Sequence, residues 1–459
     1  MRKTNRHKKI VWLGIMLLAA CSVGPDYQRP RFWDENLNEI ETEEISKKWY
    51  CVFGDEELNR LEEEALKNSP DVKVALAQMR QARYMFNIKQ TEFLPGVDII
   101  GGYNYAYAPK YDELGDKTSF FKAGFDASWE IDIWGAGRRQ NESYAAQYKA
   151  AISNVNNVLR SLTAELANDY VLLRVNQERQ RIVKYNLELQ QDILNTVKDK
   201  YKAGLTDETA LNQAEFAVQT TKSQIPDLEY QEKYYQNAIA ILSGKRPEDI
   251  VISGKKNIVA KKFDFDLKKL KSIPLENIRN RPDVKEAEAM LIAKNAEVGQ
   301  AVAAMFPNVS VSALLGWQGH LIRNLGRGDY ASYGYNPAIN MPFLHWGKLI
   351  NQVKMSKDIK EEYLYNYQKA LLNALQEVKN AVMAVVKEYD KNDALQKAAD
   401  NMQKVLGSMQ IKYQEGLIEF SDLLSSEQNL LSAQDNLVVS HGAIYEKIIS
   451  FYKALGGGY

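Results

Sequence analysis

The sequence predicts a mainly α-helical chain built as a tandem duplication, with four membrane-crossing β-strands that complete a barrel only with further copies of the chain. Three observations carry this prediction. Short motifs recur at a constant offset of 212 residues. Each copy contains a helix-forming stretch of more than sixty residues, and ahead of each stretch lie two segments of alternating polar and apolar residues flanked by aromatics.

The N-terminus sets the compartment. Arg2, Lys3, Arg6, Lys8 and Lys9, with no acid among them, precede the apolar run Ile10 to Ala20. That run is about half of the ~20 residues a transmembrane helix needs. A basic head, a short apolar middle and small residues before a break describe a secretory signal over residues 1–20. Its end, Leu18-Ala19-Ala20-Cys21, resembles the bacterial lipobox, in which the cysteine sulfur receives a diacylglyceryl group and its amine is acylated after cleavage. Several acyl chains anchor firmly, at roughly 0.8 kcal/mol per buried methylene. In such lipoproteins Ser22, where an aspartate could stand, favours the outer membrane. Losing residues 1–20 takes the formal charge from 0 to −5, which argues against a nucleic-acid partner. Cys51 is the only other cysteine, so a lipidated Cys21 leaves no intramolecular disulfide.

The duplication is legible in matched residues: Asn68 with Asn280, Pro95 with Pro307, Trp134-Gly135 with Trp346-Gly347, Tyr201 and Gly204 with Tyr413 and Gly416, Leu211 and Glu215 with Leu423 and Glu427. The expected organisation is a lipid anchor and linker over 21–53, a first repeat over 54–244, an inter-repeat equatorial segment over 245–272 and a second repeat over 273–459.

In the first repeat, strands are expected at about 96–109 and 120–134. Val97, Ile99, Tyr103, Tyr105 and Tyr107 alternate with polar or small residues, and Phe121, Phe125, Trp129, Ile131 and Ile133 do the same. The second repeat should place strands at about 307–320 and 330–343, although Pro337 weakens the last locally. Period-two alternation gives one wet and one apolar face, as a soluble sandwich also would. Strand length and aromatic ends favour a membrane. The water-lined, lumen-facing side would then hold Asp98, Lys122, Asp126, Glu130 and Asp132. Four strands cannot close a barrel, since the smallest membrane barrels have eight, so the chain must oligomerise.

Long helices are expected at about 137–203 and 347–415, with return helices at about 207–243 and 419–455. From Arg138 to Ala203 there is neither proline nor glycine, a span of roughly 100 Å at 1.5 Å per residue. It carries Leu159, Leu162, Leu166, Tyr170 and Leu173, then a polar stretch, Asn176 to Arg181. In the second copy Leu371, Leu375, Val378, Val382, Val385 and Tyr389 step as a coiled-coil seam. Helices this long cannot surround one compact core and should lie side by side in a rod or tube.

The segments "CSVGPDYQRP", "FGDEELNRLEEEAL", "SWEIDIWGAGRRQ", "NRPDVKEAEAMLIAKNAEVGQAVAAMFPNVSV", "IPDLEYQ" leading into "LSGKRPED", and "YKALGGG" are similar to those of the TolC-like outer-membrane factor family, in the lipoprotein branch that serves resistance-nodulation-division (RND) efflux pumps. The resemblance covers nearly the whole mature chain. It implies a homotrimer with a 12-stranded outer-membrane β-barrel continuous with a 12-helix periplasmic α-barrel. It also implies partners: a periplasmic membrane-fusion adaptor and an inner-membrane RND-type transporter, with drugs or other small molecules leaving through the duct. By the same resemblance Tyr201, Gly204, Leu205, Tyr413, Gly416 and Leu417 form a periplasmic tip where the adaptor docks. Asp207, Asp422 and Ser425 become gate candidates, Ser425 standing where relatives place an acid. Gly204 and Gly416 would also serve as helix caps.

No enzyme, cofactor or metal is expected. His7, His320, His345 and His441 are scattered, and no phosphate-binding loop or nucleophile elbow occurs. Glu130 and Asp132 would share a strand face as a catalytic pair might, but also as lumen residues would. "RGD" at Arg327 matches an adhesion motif over three residues only. Two other functions remain open: the exit duct of a protein-secretion system, and a non-conducting lipid-anchored coiled-coil scaffold or adaptor. The four symmetric strands disfavour the scaffold. Replacing the anchor residue, Cys21→Ala, should block acylation and leave uncleaved precursor at the inner membrane. Fatty-acid labelling tests this, and normal processing without label would overturn the lipobox assignment.

Overall fold

A computed structural model describes residues 22–30, 32, 48–107, 117–252, 257–266 and 278–457. The signal, Cys21, most of the linker and part of the inter-repeat segment lie outside these residues. Seven helices carry most of the described chain: α1 (Glu56–Asn68), α2 (Pro70–Thr91), α3 (Ala136–Lys202), α4 (Glu208–Leu242), α5 (Pro282–Ala303), α6 (Lys348–Gln414) and α7 (Phe420–Ala454). Strands β1 (Gly96–Tyr107), β2 (Lys117–Ile131), β3 (Asn308–Gly319) and β4 (Ala331–Asn340) complete it. No described helix is long and apolar enough to cross a membrane. The described residues divide into two compact units, one drawn from those within 1–33, 78–152 and 286–369, the other from those within 34–77, 153–285 and 370–459. Helices α2, α3, α5 and α6 contribute to both.

The first unit holds one antiparallel sheet in the order β1-β2-β3-β4. Its register puts Asp98 opposite Asp126, which faces Leu314 on its other side, Gly102 opposite Lys122, which faces Gln318, and Glu130 opposite Ser310. Ser310 in turn faces Ala338, and Ser312 faces Asn336. Opposed residues share a face, so Asp98, Lys122, Asp126 and Glu130 lie together with serine, asparagine and glycine. The other face carries Ile99, Tyr103, Phe121, Phe125, Trp129, Leu315, Tyr333, Tyr335 and Ile339. Ile99, Tyr333 and Tyr335 are 82%, 83% and 81% exposed, so among the described residues nothing covers most of this apolar face. Gly124 and Gly316 are directly paired, and a Cβ on either would run into the other strand's backbone. Two glycines opposed on the polar side let the strands approach and bend there.

Two strand ends fall short of expectation. β2 stops at Ile131, not 134, and β4 at Asn340, not 343. The last pair of β3 is Asn308 with Asn340, so residues beyond have no ladder to join. Asp132 turns out of β2 altogether: its carboxylate accepts from the backbone N–H of Gly137 (3.1 Å) and Arg138 (2.9 Å) and pairs with the Arg138 guanidinium (3.3 Å). It caps α3, where helix N–H groups have no intrahelical partner. Its expected place on the polar sheet face is therefore corrected.

The N-terminal strap explains several sequence motifs at once. Val23 donates to the Trp134 carbonyl at 3.0 Å, and Asn295 donates to the Pro25 carbonyl at 2.9 Å. Buried Arg139 holds Asp26 at 2.7 Å, while Arg29 grips Glu288 with two bonds of 2.6 and 2.9 Å. Gly24 packs so tightly on Gly299 that a Cβ would overlap its Cα. Thus "GPDYQRP", "WGAGRRQ" and "NAEVGQ" are parts of one joint.

In the second unit, Asp55 caps α1 by accepting from Glu57 and Leu58, and its other oxygen takes the Tyr170 hydroxyl at 2.8 Å. Phe53 packs edge-on to Phe263 and against Tyr445. Buried Arg281 donates to the Ala454 carbonyl and to Asp283 and Glu377, tying the end of α7 back to the start of α5. Half of the polar stretch of α3 is enclosed: Asn176, Glu178 and Gln180 are buried, whereas Arg181 reaches solvent. Gln177 and Gln180 reach Glu232, and Arg179 pairs with Asp435 at 2.6 Å. These partners let a polar belt sit inside the unit.

The α6 seam departs from the expected one at two positions. Leu371, Val378, Val385 and Tyr389 are buried as expected, but Ala374 and Ala381 take the buried positions between them, where Leu375 and Val382 are half-buried. The steps of three and four persist, but alanine occupies alternate positions, which lets helices approach closely. A 3.5-residue seam held over so many turns imposes a left-handed supercoil.

Candidate channel face and helix-turn tip

The helix reversals after α3 and α6 are built alike. Gly204 donates to the Tyr201 carbonyl (3.0 Å) and Leu205 to the Lys200 carbonyl (2.8 Å). Gly416 and Leu417 repeat this with Tyr413 (3.1 Å) and Lys412 (2.9 Å). Both glycines are left-handed, φ 73° and 74°, with open space where a side chain would stand. Backbone conformation, not crowding, demands glycine there. Leu205 and Leu417 are exposed.

The two turns differ in their side chains. Tyr201 is 42% exposed. Tyr413 is half-buried against a core of Val197, Ala214, Leu406, Phe420, Leu423 and Leu430, with its ring 5.7 Å from Phe420. The Lys200 ammonium sits 4.5 Å above the Tyr413 ring, a cation–π contact joining the two turns. Among the gate candidates, Asp207 accepts from Ala210 N–H at 3.0 Å and caps α4. Its counterpart in the duplication is Glu419, which makes no such cap bond. Asp422 and Ser425 are exposed and three residues apart, so they share one face of α7.

Sequence reasoning missed Glu427. In the first repeat Glu215 pairs with Lys198 at 3.1 Å. At the second repeat's equivalent positions stand Glu427 and Gln410, so the acid has lost its cation. Glu427 is 9% exposed, and burial pushes its carboxyl up to about 7. The offset comparison could have flagged this, since a Lys-to-Gln exchange opposite a retained Glu is visible in the sequence.

On the sheet, Asp98 and Asp126 oppose each other directly. Like charges so placed repel, and Lys122 is two rows away. The polar face therefore carries a local excess of negative charge. Among the described residues no cluster of three His, Cys, Asp or Glu forms that could hold a metal.

The outer membrane efflux protein family model matches residues 61–245 and 274–457, one match for each half of the duplication. The chain belongs to the outer membrane efflux protein family. It is similar to the pyoverdine export outer membrane protein OpmQ of Pseudomonas aeruginosa, 28% identical over 354 residues covering 74% of this chain and 72% of that protein. Nodulation protein T of Rhizobium leguminosarum bv. trifolii is 26% identical over 393 residues, 84% of this chain and 83% of its own. The solved outer-membrane channel OprN superposes with a TM-score of 0.88 at 28% identity, covering 95% of this chain and 99% of OprN. The fold is that of the TolC-like outer-membrane channels, and the protein is an outer-membrane channel component of an efflux system.

Glu427 yields a pH prediction. Its folded-state affinity for protons exceeds the unfolded one, so its stabilising contribution is complete below pH 4.5 and is lost as pH rises through about 7. Glu427→Gln should melt with the parent at pH 4 and several degrees above it at pH 8. Equal melting at both pH values would show that Glu427 is not buried in the assembled protein.

Proposed function

We propose that three copies of the chain close a 12-stranded barrel and act as the passive exit duct of a tripartite system, from pump and periplasm to the exterior. The carrying observation is a four-stranded sheet whose outer strands, β1 and β4, each have one edge without a partner among the described residues, and whose apolar face is exposed. In lipid, unpaired backbone groups cost several kcal/mol each, so such edges must pair with other copies. Three times four strands is the count that the family resemblance supplies. Lipidated Cys21 is the anchor to the outer membrane. A periplasmic membrane-fusion adaptor docks on the turns around Gly204 and Gly416, with an RND-type transporter as the source. The cargo is a drug or other small molecule, in keeping with the pyoverdine named for OpmQ.

With Asp98, Asp126 and Glu130 on the inner face, confined carboxylates raise the local cation concentration. Channels in planar bilayers should prefer cations, and the triple variant Asp98→Asn, Asp126→Asn, Glu130→Gln should lose that preference. Asp132 is spared because it caps α3. Anion preference in the parent would reverse the facing of the strands, and absence of conductance would overturn the duct itself.

The turns are tested separately. A β-branched residue at a left-handed position costs at least about 1 kcal/mol, small against a trimer. Gly204→Val with Gly416→Val should therefore leave trimer in the outer membrane but abolish adaptor cross-linking and efflux. Normal export by this variant would place the docking site elsewhere.

A further inference from the structure

At the end of the sheet where β2, β3 and β4 give way to helices, the first unit holds an open cavity of about 610 Å³. That volume falls within the roughly 300–1,000 Å³ of small-molecule sites. We propose that this cavity binds hydrophobic organic cations.

Its apolar wall comprises Phe93, Trp134, Phe306, Pro307, Met341 and Pro342. Trp134 and Phe306 stack at 4.8 Å with their planes 25° apart, and the indole N–H is already spent on the Pro307 carbonyl at 2.7 Å. The ring therefore offers its π surface and no free donor. Three carboxylates line the cavity, and they are not equivalent. Glu92 is held by Lys89 at 2.7 Å. Asp132 is occupied by the α3 N-terminus and Arg138. Glu130 is exposed, and among the described residues it has a long contact from the Asn308 amide, 3.4 Å, and no cation. The one lysine in the lining, Lys89, is already paired with Glu92, and the imidazole of His345 lies in the wall as well.

One uncompensated carboxylate beside stacked aromatic rings selects a charge type and a shape. A flat or bulky apolar body fits the wall, while its positive charge meets Glu130 and the negative faces of the rings. An anion of the same size gains the apolar contacts but is repelled by the carboxylate. Glu130 and Asn308, both of which line the cavity, lie on the polar face of the sheet, the side assigned above to the lumen. A waypoint role for exported cations rests on the duct reading. Binding itself requires only residues of one chain.

The test uses full-length protein in detergent, titrated with ethidium and followed by fluorescence anisotropy. Saturable binding at one ethidium per chain is expected, weakened at least tenfold by Glu130→Gln, retained by Glu130→Asp, and unaffected by competing anilinonaphthalene sulfonate. Asp126→Asn, on the same face but outside the cavity, should leave affinity unchanged. If Asp126→Asn weakens binding as much as Glu130→Gln, the attraction is a diffuse field and the site is refuted. Unchanged affinity in Glu130→Gln, or competition by the anion, refutes it too. Ethidium binding with no bilayer conductance would remove the duct and leave the site, whereas conductance without binding would remove the site alone.

Discussion

A peptide group surrounded by hydrocarbon has to find its hydrogen-bond partner in protein, and most of this chain's architecture follows from that. The sheet satisfies its inner ladders and leaves β1 and β4 with open edges. An apolar face bearing Tyr333 and Tyr335 is tolerable only in contact with lipid or another protein surface. The membrane strands thus require assembly before they are stable. Opposed Gly124 and Gly316 supply room for curvature on the polar side, so closure costs little side-chain strain there.

The helices obey a different rule, close approach along a seam. Ala374 and Ala381 sit where larger residues would hold the helices apart, and the sequence alone pointed instead to Leu375 and Val382. Periodicity was correct to within one residue because hydrophobicity scores reward the larger neighbour, while packing favours the smaller one. The enclosed polar belt of α3 was illegible for a related reason. Asn176 to Arg181 read simply as a polar stretch, and its partners Glu232 and Asp435 lie more than fifty residues away.

Local signals were read most reliably. The reversals at Gly204 and Gly416 depend on residues within one turn, and the alternation in β1 to β3 is a direct image of the pleat. Asp132 shows the limit of that method. Strand periodicity continues through it formally, but a helix N-terminus five residues on competes for its carboxylate and wins. The strap at Val23 to Arg29 was recognisable as a motif, yet its meaning required Arg139, Glu288 and Asn295 to be seen converging from two distant helices.

The unequal tyrosines bear on how a partner perceives the end of the helices. Duplication supplies two turns with the same backbone, but Lys200 covers Tyr413 and leaves Tyr201 open. In a threefold assembly the rim would then alternate between two kinds of knob, giving a true three-step rotation and only an approximate six-step one. A ligand ring with six identical contacts would engage every second knob more strongly. Its docking would acquire a preferred phase that a sixfold-symmetric rim could never impose.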